Sequence, residues 1–319
     1  MRADLERVNA RVAQAASVRY PSISRLLADI VSARGKQLRP LLLLLSARAY
    51  DYEANFEAII TAAAGVELLH TASLIHDDTV DRAALRRGKP TLNSVLSSGA
   101  VILIGDYLFA QSAMLAAATD NVRVVGVFAS TLGDICDGQL MEMFDAQRLD
   151  QTQEEYERRI FGKTASLFAG AAEMGAILAK APEHHVSELR RFGAEIGMAF
   201  QIIDDVLDLT GGTEDLGKPA GHDLRQGTVT LPTMFYLADV GPASPEWARI
   251  EAIVAGRLTD NDAIDDVIRD IRASGAIERA LAAAESFTSR AKARLRIVPD
   301  GETQDLLTEL ADVALRRAS

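Results

Sequence analysis

Apolar residues return along this chain every three to four positions, so the sequence predicts helices almost throughout and no alternating strand. Pro40 stands where a first helical residue is favoured and opens an apolar segment reaching to about Tyr50. A long helix is predicted from about Asn55 to Asp81, broken by Arg86-Arg87-Gly88-Lys89-Pro90. Further helices are predicted over about 91–118, 122–144, 153–179 and 185–210, with Thr119-Asp120-Asn121, Pro182 and Gly211-Gly212 as punctuation. The glycine-rich stretch Gly212 to Gly227 predicts a mobile loop. Shorter helices follow over about 231–238, 245–255, 262–273, 276–295 and 302–317, with Asp260, Asn261 and Asp262 offering N-caps. Several central helices are apolar on most faces, as helices surrounded by other helices are. No repeat or long linker divides the chain, which predicts one all-α domain over residues 1–319, a single large helical bundle.

Composition narrows the choice of partner. Aromatic residues make up only 5% of the chain, which suits helices better than sheets. A formal charge of −11 argues against a nucleic-acid partner. Cys136 has no second thiol to pair with, which fits a cytoplasmic protein, and its neighbours suggest a buried helix position. Met1 to Arg7 carries both charge signs with no apolar run behind it, so no signal peptide is read there. The longest purely apolar run, Pro40 to Leu45, is far short of the roughly 20 residues of a membrane span, so no transmembrane segment is expected.

Two short acidic runs interrupt this apolar pattern. In Asp77-Asp78-Thr79-Val80-Asp81, Asp77 and Asp81 are one helical turn apart and share a face, with Asp78 beside them. Three like charges near a helix C-terminus are unfavourable, and a divalent cation resolves the conflict; a solvated helix end is the plainer alternative. In Asp204-Asp205-Val206-Leu207-Asp208 the same spacing recurs between apolar flanks, where unpartnered carboxylates are costly. If the two runs face each other across a cavity, they form a multi-metal clamp for a phosphate-rich anion. Cations stand near each motif: Lys36 and Arg39 before a helix start, Arg86 and Arg87 after the first run, Lys163 in an apolar helix, and Lys218 in the glycine-rich loop.

These stretches, Gly-Lys-Gln-Leu-Arg-Pro from Gly35, Asp-Asp-Thr-Val-Asp from Asp77, Arg-Arg-Gly-Lys-Pro-Thr from Arg86, Gly-Lys-Thr from Gly162 and Phe-Gln-Ile-Ile-Asp-Asp-Val-Leu-Asp from Phe200, come in an order that resembles the trans-isoprenyl diphosphate synthase, or polyprenyl synthetase, family. The resemblance runs from Gly35 to about Pro232. It implies the isoprenoid synthase type of helical bundle around a central active-site cavity. It also implies a prenyltransferase that condenses isopentenyl diphosphate head to tail with an allylic diphosphate to give an all-trans polyprenyl diphosphate. Asp77, Asp78, Asp81 and Asp204 would hold about three Mg²⁺ ions, with Asp205 and Asp208 in the same clamp, partly behind the metals. Arg86, Lys163 and Lys218 would contact the allylic diphosphate, and Lys36, Arg39, His70 and Arg87 would hold isopentenyl diphosphate. Thr164 and Gln201 would line the reaction centre with their oxygens, and the enzyme would be a homodimer. Gly227-Thr228-Val229-Thr230-Leu231-Pro232 departs from the pattern, because many relatives carry lysine where Thr228 stands.

The resemblance also bears on product length, because an aromatic residue one turn below the first aspartate run plugs the product tunnel in short-chain members of the family. Ala72 and Ser73 lie about one turn, roughly 5.4 Å, below Asp77, and small side chains there leave a tunnel open. A medium-to-long polyprenyl product is therefore expected over geranylgeranyl diphosphate, with Phe109, Met114 or Phe128 as candidate floors. Asp106 is read as a buried structural acid, His76 as a local packing or capping residue, and His184-His185 as surface. A class I terpene cyclase, a non-catalytic subunit of a heteromeric prenyltransferase and a helical binding scaffold are the rival readings. The pairing of two aspartate runs with Lys36, Arg39 and His70 weighs against the first, and intact aspartates against the second.

Overall fold

In the computed structural model, residues 1–32, 35–81, 83, 85, 86, 89–211 and 220–315 are described, with Lys89 and Ala314 described by their backbone alone. Arg87, Lys218 and the first half of the glycine-rich loop, residues 212–219, lie outside them. Among the described residues the regular elements are helices except for a two-stranded antiparallel ladder, β1 (Leu85–Arg86) against β2 (Lys89–Pro90), in register Leu85–Pro90 and Arg86–Lys89. The all-α class is as expected from the hydrophobic period.

The helices in chain order are α1 (Arg2–Ala15), α2 (Pro21–Ser32), α3 (Leu38–Arg48), α4 (Phe56–Val80), α5 (Ser98–Ala117), α6 (Val122–Asp145) and α7 (Gln153–Ile160). They continue as α8 (Ser166–Leu178), α9 (Glu183–Thr210), α10 (His222–Arg225), α11 (Leu231–Val240), α12 (Pro245–Val254), α13 (Asn261–Ala273), α14 (Ala276–Arg294) and α15 (Glu302–Leu315). The chain divides into two compact units. The first comprises Met1–Gly133, Leu167–Gly193 and Arg294–Leu310, and the second Asp134–Ser166, Ala194–Ala293 and Ala311–Ser319.

In the first unit α4 packs chiefly on α5 and also on α3 and α1. Its side chains from Ile59 to Val66 are all buried, so α4 has core on most sides. Composition alone would let Glu53–Val80 and Ser98–Ala117 cross a membrane, but 67% of the apolar window of the first is buried inside the protein. The second keeps apolar residues in the open: Leu103 is 69% exposed and Met114 62%.

In the second unit a core of Tyr156, Ile202, Ile203, Val206, Leu231, Ile250 and Ile268 gathers α7, the later part of α9, and α11 to α13. α7 opens with a capping box in which Thr152 and Glu155 satisfy each other's backbone N–H groups. Asp260 is the N-cap of α13, its carboxylate accepting from the Ala263 N–H at 2.9 Å.

Several sequence expectations change. The helix read from Thr91 begins at Ser98, because Leu92–Ser94 forms a short 3₁₀ turn and Ser97 is extended. The helix read over 153–179 is interrupted by a π turn at Phe161–Ala165. α1 escaped the sequence reading because only Val8 and Val12 of its stripe are buried. Cys136 is exposed, on the same α6 face as exposed Leu140 and Met143. Asp106 is exposed as well and pairs with His76 at 3.4 Å.

Candidate active site

The first aspartate run occupies the end of α4. Asp77, one turn before Asp81, accepts the Asp81 N–H on its backbone carbonyl at 2.8 Å, which closes the helix. Asp78 is buried, and the Arg86 Nε donates to its carboxylate at 2.8 Å, so the short ladder carries a cation back to the acids. The Thr91 hydroxyl donates to the Ala83 carbonyl at 2.5 Å and fastens that ladder to the end of α4. His76 packs locally, as read from sequence. Its ring stands edge-on to Phe109 at 4.9 Å, and a Cβ built at Gly105 would lie 2.2 Å from its Nε2.

A second group of polar residues lies in the same unit. Gln37 takes the left-handed conformation at the N-cap of α3, exchanging amide hydrogen bonds with Asn9, and Lys36 is exposed beside it. The Arg39 guanidinium stacks 4.5 Å from the Phe168 ring, and its Nη1 donates to His70 Nε2 at 3.1 Å. Arginine has only donors, so His70 must accept there with its neutral ring. Burial pushes the Glu67 carboxyl upward, partly offset by the charge of Arg39. Arg39 and His70 are thus together, as the sequence reading requires, and Glu67 was missed.

The second aspartate run occupies the end of α9. The Asp208 carboxylate accepts N–H bonds from His222 and Asp223, each at 3.1 Å, and so closes the N-terminus of α10. Asp205 is only 3% exposed, and both its oxygens are taken: Tyr156 Oη donates to one at 2.7 Å and Gln201 Nε2 to the other at 2.8 Å. Burial raises the Asp205 carboxyl to about 7, with the bonds from Tyr156 and Gln201 opposing the rise. Asp223 is raised too, by burial first and then by the charges of Asp208, Asp205 and Glu142.

Lys163 and Thr164 ride on the π turn. Lys163 pairs with Glu142 of α6, and the Thr164 hydroxyl donates to Gln201 Oε1 at 2.7 Å. π turns reset helix register and are frequent at functional sites. The approach is possible because Gly138 and Gly162 meet backbone to backbone: a Cβ on Gly138 would lie 2.2 Å from the Lys163 nitrogen, and one on Gly162 2.7 Å from the Asp134 carbonyl oxygen. Gly138→Ala is therefore expected to cost about 3 kcal/mol, read as a lower urea midpoint at an unchanged slope.

Glu142, Tyr156, Arg159 and Asp223 were not found in the sequence. Asp223 lies inside the stretch read as a glycine-rich loop, and the other three sit in ordinary helical patterns. Of the candidate tunnel floors, Phe128 is buried, Met114 is exposed and Phe109 is committed to His76. Among the described residues no three metal-ligating side chains close on a single point. Paired carboxylates are what Mg²⁺ uses when substrate phosphates and waters complete its octahedron.

Residues 20–271 match the family described as polyprenyl synthetase. The chain is 40% identical to heptaprenyl diphosphate synthase component 2 of Geobacillus stearothermophilus, covering 97% of this chain and 94% of that protein. It is 33% identical to octaprenyl diphosphate synthase of Escherichia coli K12, covering 98% and 96%. Among solved structures, a decaprenyl diphosphate synthase from Rhodobacter capsulatus superposes with a TM-score of 0.92 at 36% identity, covering 99% of this chain and 96% of that one.

Proposed function

The chain belongs to the polyprenyl synthetase family, and on that premise we propose how its residues lengthen an all-trans prenyl chain by adding isopentenyl diphosphate to an allylic diphosphate. It is a prenyltransferase, and its relatives make medium-to-long products. The family uses a divalent metal to bind diphosphate; we assign Mg²⁺, about three ions per site.

One observation supports the reading above the rest. Both aspartate runs stand in the last turns of their helices, where the macrodipole disfavours anions and favours cations. Asp77, Asp78 and Asp81 at one helix end, and Asp204 and Asp208 at the other, would hold the metal. When bound, Mg²⁺ draws electron density from the allylic diphosphate and so weakens its carbon–oxygen bond.

The chain's own groups do the rest. Arg86, Lys163 and Lys218 bind the allylic diphosphate, and Arg86 and Lys163 exchange their carboxylate partners for phosphate oxygens. Lys36, Arg39, His70 and Arg87 hold the isopentenyl diphosphate, with Phe168 fixing the plane of the Arg39 guanidinium. Thr164 and Gln201 present oxygens to the positive charge as it develops on the allylic carbon. The isopentenyl double bond attacks that carbon, and the departing diphosphate takes the proton released. Ala72 and Ser73 leave room for the growing chain. The test is direct: pure protein with farnesyl diphosphate, labelled isopentenyl diphosphate and Mg²⁺ gives products longer than geranylgeranyl diphosphate. A product that stops at geranylgeranyl size overturns the length assignment.

We further assign the enzyme to the cytoplasm and to a homodimer. Leu103 and Met114 on α5, and Leu140, Met143 and Phe144 on α6, are large apolar groups left in the open, which a second copy would cover. Leu103→Glu is expected to halve the sedimenting mass, and an unchanged mass would remove α5 from the interface. The name of the Geobacillus stearothermophilus relative favours a second reading, in which a different subunit covers these faces. Activity that appears only on mixing with another protein would support it.

A further inference from the structure

A chain of hydrogen bonds links Tyr156, Asp205, Gln201 and Thr164, and its chemistry fixes its direction. Tyr156 is fully buried, and its hydroxyl donates to one oxygen of Asp205 at 2.7 Å. In its ionised form, which the Tyr156 donor and the charge of Arg159 favour against burial, Asp205 only accepts, so the Gln201 group 2.8 Å from its other oxygen is the amide NH₂. That places Oε1 of Gln201 toward Thr164, whose hydroxyl donates to it at 2.7 Å. The pair Thr164–Gln201 is left with oxygen lone pairs and no amide N–H between them.

Buried Arg159 supports this arrangement from behind. It donates to Gln151 Oε1 at 2.7 Å and to the Val229 carbonyl at 2.8 Å, and its guanidinium lies 5.5 Å from the Tyr156 ring centroid. With both oxygens engaged and 3% of its surface exposed, Asp205 has no room for the water shell that Mg²⁺ retains.

We propose that Asp205 and Tyr156 are positioning residues that lock the Gln201 amide with its oxygen toward the developing allylic cation. Asp205, inside the aspartate run, serves orientation and not metal binding. This rests on the prenyl transfer reading above, in which Thr164 and Gln201 face the cation. A flipped amide would present N–H groups to a positive charge, which raises the barrier without weakening substrate or metal binding.

The full-length enzyme carrying Tyr156→Phe, Asp205→Asn, or Asp205→Asn with Gln201→Glu tests this, with folding checked by circular dichroism. Tyr156→Phe is expected to lower kcat about tenfold and Asp205→Asn about a hundredfold. The KM for isopentenyl diphosphate and the half-saturating Mg²⁺ concentration stay within about twofold. In the double variant the carboxylate introduced at position 201 accepts from the amide introduced at 205 and again offers an oxygen to Thr164, so about tenfold of kcat returns. A large rise in half-saturating Mg²⁺ with kcat retained would make Asp205 a metal ligand and overturn the proposal, as would unchanged kcat in both single variants.

A readout free of turnover separates this failure from failure of the prenyl transfer reading. The side-chain NH₂ resonance of Gln201, assigned by its loss in Gln201→Glu, is expected to shift in Tyr156→Phe without any substrate. If it does not move, the lock is refuted even in an active enzyme.

Discussion

Alanine at both Asp77 and Asp81 is expected to lower kcat for prenyl transfer at least about a thousandfold, which corresponds to ~4 kcal/mol of lost transition-state stabilisation. The two carboxylates are one turn apart at the end of α4 and share a face. Their removal takes away the oxygen ligands through which a divalent ion would engage the diphosphate. The same variant should melt no lower than the parent in metal-free buffer, and about 0.3–1 kcal/mol per removed charge is expected in its favour, because anions at a helix C-terminus oppose the macrodipole. This opposition of sign makes the experiment informative. An acid that served folding would lose stability and activity together. Steady-state assay across a Mg²⁺ series beside calorimetry without metal reads both quantities, and full turnover in the variant would end the metal assignment.

The second large effect is on product length. Ser73→Phe is expected to shorten the product to geranylgeranyl size or below, detected by chromatography of the dephosphorylated alcohols. Ser73 is only partly buried and spends its hydroxyl on the His70 carbonyl at 2.9 Å, so a ring there has somewhere to go. Ala72 is 0% exposed. A phenylalanine there must displace packed neighbours at about 1–3 kcal/mol, so Ala72→Phe should destabilise more for a comparable shortening. The two residues were equivalent in the sequence and are distinguished by burial. An unchanged product in Ser73→Phe would move the tunnel away from this face of α4.

The reason some of this was legible in the sequence and some was not is physical. The aspartate runs announce themselves because three like charges at helical spacing are unfavourable without a counter-ion. Arg39 and His70 were named together only through the family resemblance, since His70 lies in none of the motifs that carry it; the structure puts them 3.1 Å apart. Helix limits were legible where a cap marks them, as Asp260 does for α13. The π turn was not, because Phe161-Gly162-Lys163-Thr164-Ala165 has a helical pattern and the cause lies in Gly138, far away in sequence. Tyr156 and Arg159 were hidden for a related reason: a tyrosine and an arginine within Gln153-Glu154-Glu155-Tyr156-Glu157-Arg158-Arg159 read as a solvated surface until the fold buries both. Cys136 misled in the opposite direction. An apolar helix face looks like core in a sequence whether it is covered by its own chain or left open.

The crossing of Gly138 and Gly162 constrains what evolution or a designer can do with this segment. Regularising the π turn by deleting one residue would rotate everything beyond it by about 100°. Lys163 would then leave Glu142, and Thr164 would leave Gln201, in the same step. Length is thus as strictly prescribed here as the identity of Gly162, Lys163 and Thr164, and the tract from Tyr156 to Ser166 should reject every insertion or deletion.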